Sequence, residues 1–183
     1  PRDCIGLALK ALGYSFNTTD KDQIAEATDL LIKQKEDGIV QAYVMDQIFD
    51  RMERGEAWAA PYYAGDYLTM VEENPDLGFS HPKEGFNIFI DAMCIPKGCQ
   101  NKEGAEAFIN FLCRPDIAKM NFDYITYSTP NIEARKLIKD PAIRNSTIAF
   151  PDASELERCE TFQFLGDEND VLYNELWREI KSK

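Results

Sequence analysis

The 183-residue sequence predicts an α/β fold built on an open sheet. Three observations lead there. Short apolar runs bounded by Gly and Pro alternate with longer stretches of helical periodicity. Two strand–helix–strand units follow one another, the pattern of an open α/β sheet. And residues 86–95 form a mostly apolar run closed by Gly85 and Pro96, too short and too well punctuated for an ordinary helix. Strand side chains alternate with period two, so Phe89 and Asp91 share one side of this run. A ring beside a carboxylate suits an organic cation, which the ring attracts through its quadrupole and the acid through its charge. The structural alternative is that Asp91 lies past the buried strand and caps a loop.

The elements follow in order. Residues 3–12 read as a helix with Ile5, Leu9 and Leu12 on one face and Gly13 closing it. Asp20 and Gln23 have capping-box spacing, opening a helix to about Lys35 with Ile24, Ala27, Leu30 and Leu31 inward. Residues 39–44 are a strand. Residues 45–54 are a helix with Met45, Ile48, Phe49 and Met52 on its apolar face, stopped by Gly55. After a strand at 57–62, the Tyr63-Ala64-Gly65-Asp66 turn leads into a helix to about Asn74, Gly65 allowing close backbone approach and Asp66 capping the helix. Strands at 77–80 and 86–95 come next. A helix opens at Asn101 and ends before Pro115, which starts another reaching Ile125. Asn131 caps a helix to Lys139, Pro141 and Pro151 mark an irregular stretch, and residues 167–181 are a helix with Leu172, Leu176 and Ile180 along one face.

Apolar residues at 44%, with 11% aromatic, predict a folded chain. A net charge of −12 argues against a nucleic-acid partner, whose phosphates need a basic footprint, and fits a cationic ligand. No apolar run reaches membrane-spanning length and no signal-peptide pattern is present, while the start at Pro1 reads as a mature form or an excised portion. Cys94, Cys99 and Cys113 lack zinc spacing and His81 is the only histidine, so no metal site is predicted. Cys4, Cys94 and Cys113 sit in apolar surroundings and are read as buried thiols. There is no GxSxG, P-loop or GxGxxG motif, no cofactor is called for, and His81 before Pro82 reads as a surface or loop residue rather than a catalytic base.

Several blocks, taken with their order and spacing, go further: Ala11-Leu12-Gly13-Tyr14-Ser15, Asn17-Thr18-Thr19, Tyr63-Ala64-Gly65-Asp66, Pro82-Lys83-Glu84-Gly85, Asn101-Lys102-Glu103-Gly104-Ala105 and Tyr127-Ser128-Thr129-Pro130-Asn131. With them the chain resembles, over essentially its whole length, the C-terminal portion of the spermidine/putrescine-binding proteins of bacterial ABC importers. The resemblance implies a type II periplasmic-binding-protein-like fold, two α/β lobes with a ligand cleft between them. Residues 1–88 would then belong to the second lobe, 89–128 would cross to the first, and 129–183 would return to the second. It also implies exposed apolar surface along 89–128 and self-association or rearrangement there.

By the same resemblance Phe89 and Asp91 occupy the aromatic and carboxylate positions of the crossing strand. Tyr63 stands where the family often has Trp, Asp3 where it often has Glu, Tyr127 at a cleft tyrosine, and Gln163 at a terminal-amine acceptor. Each has a structural alternative: Asp3 as a helix-start acid favoured by the dipole, Tyr63 as core, Tyr127 and Gln163 as ordinary loop residues. The implied function is an extracytoplasmic subunit that captures spermidine or putrescine for the permease of an ABC importer, without catalysis. The competing readings are a binder of another solute, such as a sugar or metal complex, and a carboxylate-based hydrolase.

Overall fold

The computed structural model describes residues 1–183, and its regular structure is helical. The helices are α1 (Arg2–Ala11), α2 (Lys21–Glu36), α3 (Gln47–Glu53), α4 (Ala64–Glu73), α5 (Lys102–Leu112), α6 (Pro115–Ile125), α7 (Ile132–Lys136), α8 (Pro141–Arg144), α9 (Ala153–Leu156) and α10 (Asp167–Ser182). The runs read as strands at 39–44, 57–62, 77–80 and 86–95 form no ladder. One parallel bridge pairs Asn87 with Glu160, through Ile88 N–H to Glu160 O at 2.9 Å and Glu160 N–H to Phe86 O at 3.2 Å. A strand is defined by its neighbours, and apolar alternation without a partner strand leaves the backbone irregular.

The chain divides into two compact units: residues 1–45, 81–89 and 153–183 in one, residues 46–80 and 90–152 in the other. In the first unit α1, α2 and α10 close a core of Ile5, Ala8, Leu9, Ile24, Ala27, Tyr173 and Ile180. Local signals fix each helix. Gly13, at φ 86°, ends α1 in a Schellman motif, with Tyr14 N–H on Leu9 O at 2.8 Å and Gly13 N–H on Lys10 O at 2.9 Å. Asp20 caps α2 by accepting from the Asp22 and Gln23 amides. The capping box is only half made, because the Gln23 side chain accepts from the Thr18 hydroxyl instead of turning back to the Asp20 backbone. On α2, Thr28 takes the inward place read for Leu30; its hydroxyl donates to Ile24 O at 2.8 Å, so it enters the core satisfied, and Leu30 is exposed. Lys35 donates to the Ile180 and Lys181 carbonyls at the end of α10, where a cation suits the dipole.

His81 also lies in the first unit, and it is not a surface residue. Its side chain is 9% exposed, Nδ1 sits 2.9 Å from Glu155 Oε1, and the ring stacks on Phe86 at 4.2 Å between centroids. The pairing with Glu155, seventy-four residues on, has no local signature.

The second unit buries fewer apolar residues fully. Its buried apolar residues are Met70, Ala118, Phe122, Ala134, Ile138 and Ala149, and α3 and α5 bury none. Asn74 closes α4 and donates to the last carbonyls of α3, at Met52 and Glu53. Pro115 opens α6 as expected, and Asn131 caps α7 by accepting from Ala134 N–H at 3.1 Å. Phe108, Phe111, Met120, Tyr124, Ile90 and Met93 are exposed, in keeping with the apolar surface expected along 89–128. The cysteines depart from the reading. All five thiols are free, Cys4 is only partly buried, and Cys94 and Cys113 are exposed. Met93 beside Cys94 and Phe111 two residues before Cys113 are themselves exposed, so those two thiols share the exposure.

Candidate functional site

In the second unit the start of α4 and the end of α6 meet around Tyr127. Thr126, the C-cap of α6, adopts the left-handed conformation at φ 59°, the only non-glycine to do so, and turns the chain back toward α4. Its hydroxyl donates to Gly65 O at 2.6 Å. Tyr127 then lies against Gly65 so closely that a Cβ there would fall within 2.6 Å of the ring atoms Cε2 and Cγ. The close approach expected of this glycine is therefore made by an aromatic ring. The Tyr127 hydroxyl donates to Asp66 Oδ2 at 2.9 Å.

Asp66 does not cap α4. The N-cap is Tyr63, and Asp66 sits in the first turn, where the helix dipole favours a carboxylate, with an oxygen committed to Tyr127. Burial, then the hydrogen bond and charge of Asp66, push the Tyr127 phenol far above the usual tyrosine range. Burial, then the charges of Asp66 and Asp46, push the Tyr62 phenol up as well. Both phenols stay protonated and can donate to an anionic oxygen.

These residues border an open concavity of about 550 Å³. Its rings are Tyr62, Tyr63, Tyr127 and Phe49, its carboxylates are Asp46, Asp50 and Asp66, and Gln47 completes the wall. Tyr62 and Tyr63 lie 5.4 Å apart between centroids, tilted at 45°. No Lys, Arg or His is in the lining. Such a wall can hold an organic cation: the acids accept from its ammonium groups and the ring faces take its charge and its methylenes.

Of the sequence-predicted residues, Tyr63 and Tyr127 come together here. Asp91 is in the same unit, exposed, and outside this lining. Asp3, Phe89 and Gln163 belong to the first unit. Asp3 is exposed in the first turn of α1. Beside it Arg2 donates to Gln163 O at 3.3 Å, to Phe16 O and to Asn17 Oδ1, with its guanidinium 4.8 Å from the Phe162 ring centroid. Asn17 Oδ1 also accepts from Gln163 N–H at 2.8 Å. The Gln163 backbone is thus fixed near the start of α1 while its side chain is exposed. Phe89 is half-exposed at the unit's boundary.

Sequence reasoning missed Asp46, Asp50 and Tyr62, and read Asp66 as a cap. A signal was present. Asp46 and Asp50 are four apart, which puts them on one side of α3, and Tyr62 adjoins the Tyr63–Asp66 turn.

Comparison with known proteins gives the family. Residues 2–147 match the family described as bacterial extracellular solute-binding protein, and the chain belongs to that family. The spermidine/putrescine-binding periplasmic protein of Salmonella typhimurium is 35% identical over 181 residues, covering 99% of this chain and 51% of that one. The putrescine/cadaverine-binding protein of Pseudomonas aeruginosa is 32% identical, covering 99% of this chain and 52% of that one. Among solved structures, the spermidine/putrescine ABC transporter substrate-binding protein PotD of Streptococcus pneumoniae superposes with a TM-score of 0.85 at 30% identity, over 99% of this chain and 55% of that one. The fold is thus the periplasmic-binding-protein fold of PotD, and the chain spans about half the length of the relatives it matches.

Proposed function

We propose that this chain is part of a solute-binding subunit that captures a polyamine outside the cytoplasmic membrane and delivers it to the permease of an ABC importer. The observation that carries the reading is the wall of the concavity, in which three tyrosines and a phenylalanine face three carboxylates and no basic side chain. A polyamine is a chain of methylenes with ammonium groups at fixed separations. Each ammonium needs ionised acceptors to replace the water it loses, and each methylene run needs an apolar wall. The names of the Salmonella and Pseudomonas relatives point to the same ligand class.

Within this reading Asp66 and Tyr127 act as one unit, the phenol holding the carboxylate in place. Asp91, Phe89, Asp3 and Gln163 are further ligand-binding residues, and binding proceeds without catalysis. The lobe boundaries at 88 and 128 belong to the same proposal, since they are drawn on proteins about twice this length, as does self-association of the isolated chain through the apolar side chains of 89–128.

The test is calorimetric titration, with spermidine, putrescine and a neutral sugar, of the chain extended to the full length of its relatives. Heat with the sugar alone would end the polyamine reading. Asp91→Asn is expected to weaken polyamine binding by about 1.5–3 kcal/mol, the scale of a charge-assisted hydrogen bond. Unchanged affinity would remove Asp91 from the site.

A further inference from the structure

Thr126 is the strained point of the second unit. It holds φ 59° and ψ 0°, in the left-handed region, where a β-branched side chain is rarely found and glycine is at ease. Its amide closes α6 by donating to Phe122 O at 2.8 Å, and Phe122 is buried and stacked on Phe150 at 5.7 Å between centroids. One side of the turn is thereby anchored in the apolar interior. On the other side the Thr126 hydroxyl lies over the first turn of α4. It is 2.6 Å from Gly65 O and 3.1 Å from the Thr69 hydroxyl, with Ile125 O as a further acceptor at 2.7 Å. Donating to Gly65 O and accepting from Thr69 uses both roles of a hydroxyl. Glycine at 126 would take the same backbone without strain and bring no hydroxyl.

We propose that Thr126 is a positioning residue of the binding wall, its hydroxyl tethering the turn after α6 to α4 so that Tyr127 is seated on Gly65 and reaches Asp66. The residue that follows the left-handed position is Tyr127 itself, so whatever holds the turn also aims the ring. That ring fills the space a side chain at 65 would need, and its phenol donates to Asp66 Oδ2 at 2.9 Å. The carbonyl that Thr126 grips, the seat of the ring and the carboxylate belong to two consecutive residues, Gly65 and Asp66. One hydrogen bond from Thr126 therefore registers both contacts of Tyr127. Tyr127 and Asp66 line the concavity and Thr126 does not, so Thr126 acts on a ligand only through them. The ligand side of this inference rests on the polyamine reading, whereas the seating of the ring is measurable without ligand.

The experiment compares Thr126→Val, Thr126→Gly and Thr126→Ser, in the 183-residue chain and in the chain extended to the full length of its relatives. In the shorter form, NMR of ring-labelled tyrosine follows the phenols with pH, the Tyr127 signal being assigned by its loss in Tyr127→Phe. Burial and Asp66 keep this phenol protonated while exposed tyrosines ionise. The Val and Gly variants, which lack the hydroxyl, are expected to bring Tyr127 down toward ordinary tyrosine behaviour. The Ser variant keeps the hydroxyl and is expected to restore the wild-type titration. In the longer form, calorimetry with spermidine, putrescine and a neutral sugar is expected to show polyamine binding about tenfold weaker in the Val and Gly variants and restored in Ser. Thr126→Gly relieves the backbone strain, so it carries the test if Thr126→Val does not fold. A Tyr127 phenol that titrates alike in the wild type and in the Val and Gly variants overturns the proposal, whatever the ligand. So does unchanged polyamine affinity in a variant whose phenol has moved. A wild type that binds only the sugar ends the polyamine reading instead, and the titration alone then decides whether Thr126 seats the ring.

Discussion

The two compact units differ in where their apolar residues go. In the first, two consecutive N-terminal helices and the C-terminal one bring Ile5, Leu9, Ile24, Tyr173 and Ile180 to near-complete burial. In the second, α3 and α5 bury nothing fully, rings line an open concavity, and large apolar side chains stand in solvent. Apolar side chains thus close a helical core in one unit and line an open concavity in the other. The difference lies in whether a helix's apolar arc meets partners within the chain, not in how apolar the helix is.

Substitutions can sharpen this contrast. The largest effect is expected at Leu9, which is fully buried: Leu9→Ala should cost about 2–5 kcal/mol in denaturant unfolding. Phe108→Ala, at an exposed position of the second unit, should change stability by no more than about 0.5 kcal/mol. Comparable costs at the two positions would erase the distinction. Next comes Gly65→Ala, which drives a methyl group into the Tyr127 ring and should cost about 1–3 kcal/mol, with a changed near-ultraviolet tyrosine signal. A silent substitution would show that the ring does not rest there. Tyr127→Phe keeps the ring and removes the donor to Asp66, for an expected loss of about 1 kcal/mol.

The smallest effect is a pH dependence in the first unit. Glu160 accepts from Lys10 Nζ at 2.5 Å and from the Ser15 hydroxyl. Burial raises its pKa, but those hydrogen bonds and the Lys10 charge outweigh it, so the net shift is below the ordinary value of 4.5. A depressed carboxylate stabilises the fold above its unfolded pKa, and that contribution is lost as pH falls through the folded value. Stability should therefore decline below about pH 4.5, and Glu160→Gln should flatten that acid limb in denaturation midpoints measured against pH. An acid limb of equal slope in the variant would assign the effect to other carboxylates.

Much of the helical layout was legible because its signals are local. Asp20, Asn101, Asn131 and Gly13 each announce a helix end by side-chain type, and the inward faces of α1 and α10 follow from spacing alone. The strands expected from alternation do not form, for a physical reason. The alternation in 86–95 is a property of the residues, whereas a ladder needs a second strand, and here Asn87 meets only Glu160. Tyr63 and Tyr127, which the structure brings together, were expected only through the family resemblance. The role of Asp66 was not legible, because its partner is sixty-one residues away and a helix-start acid reads as a cap. His81 and Glu155 were hidden for the same reason.

The two exposed sulfhydryls have a practical consequence. Cys94 lies in the ladder-free run before Pro96, and Cys113 is the C-cap of α5, the helix whose open face exposes Phe108 and Phe111. Burial pushes the Cys4 and Cys159 thiols up, leaving less of the reactive thiolate at neutral pH. A maleimide fluorophore should therefore favour Cys94 and Cys113 over Cys4 and Cys159, giving an optical reporter of whatever settles on that face without any engineered attachment point.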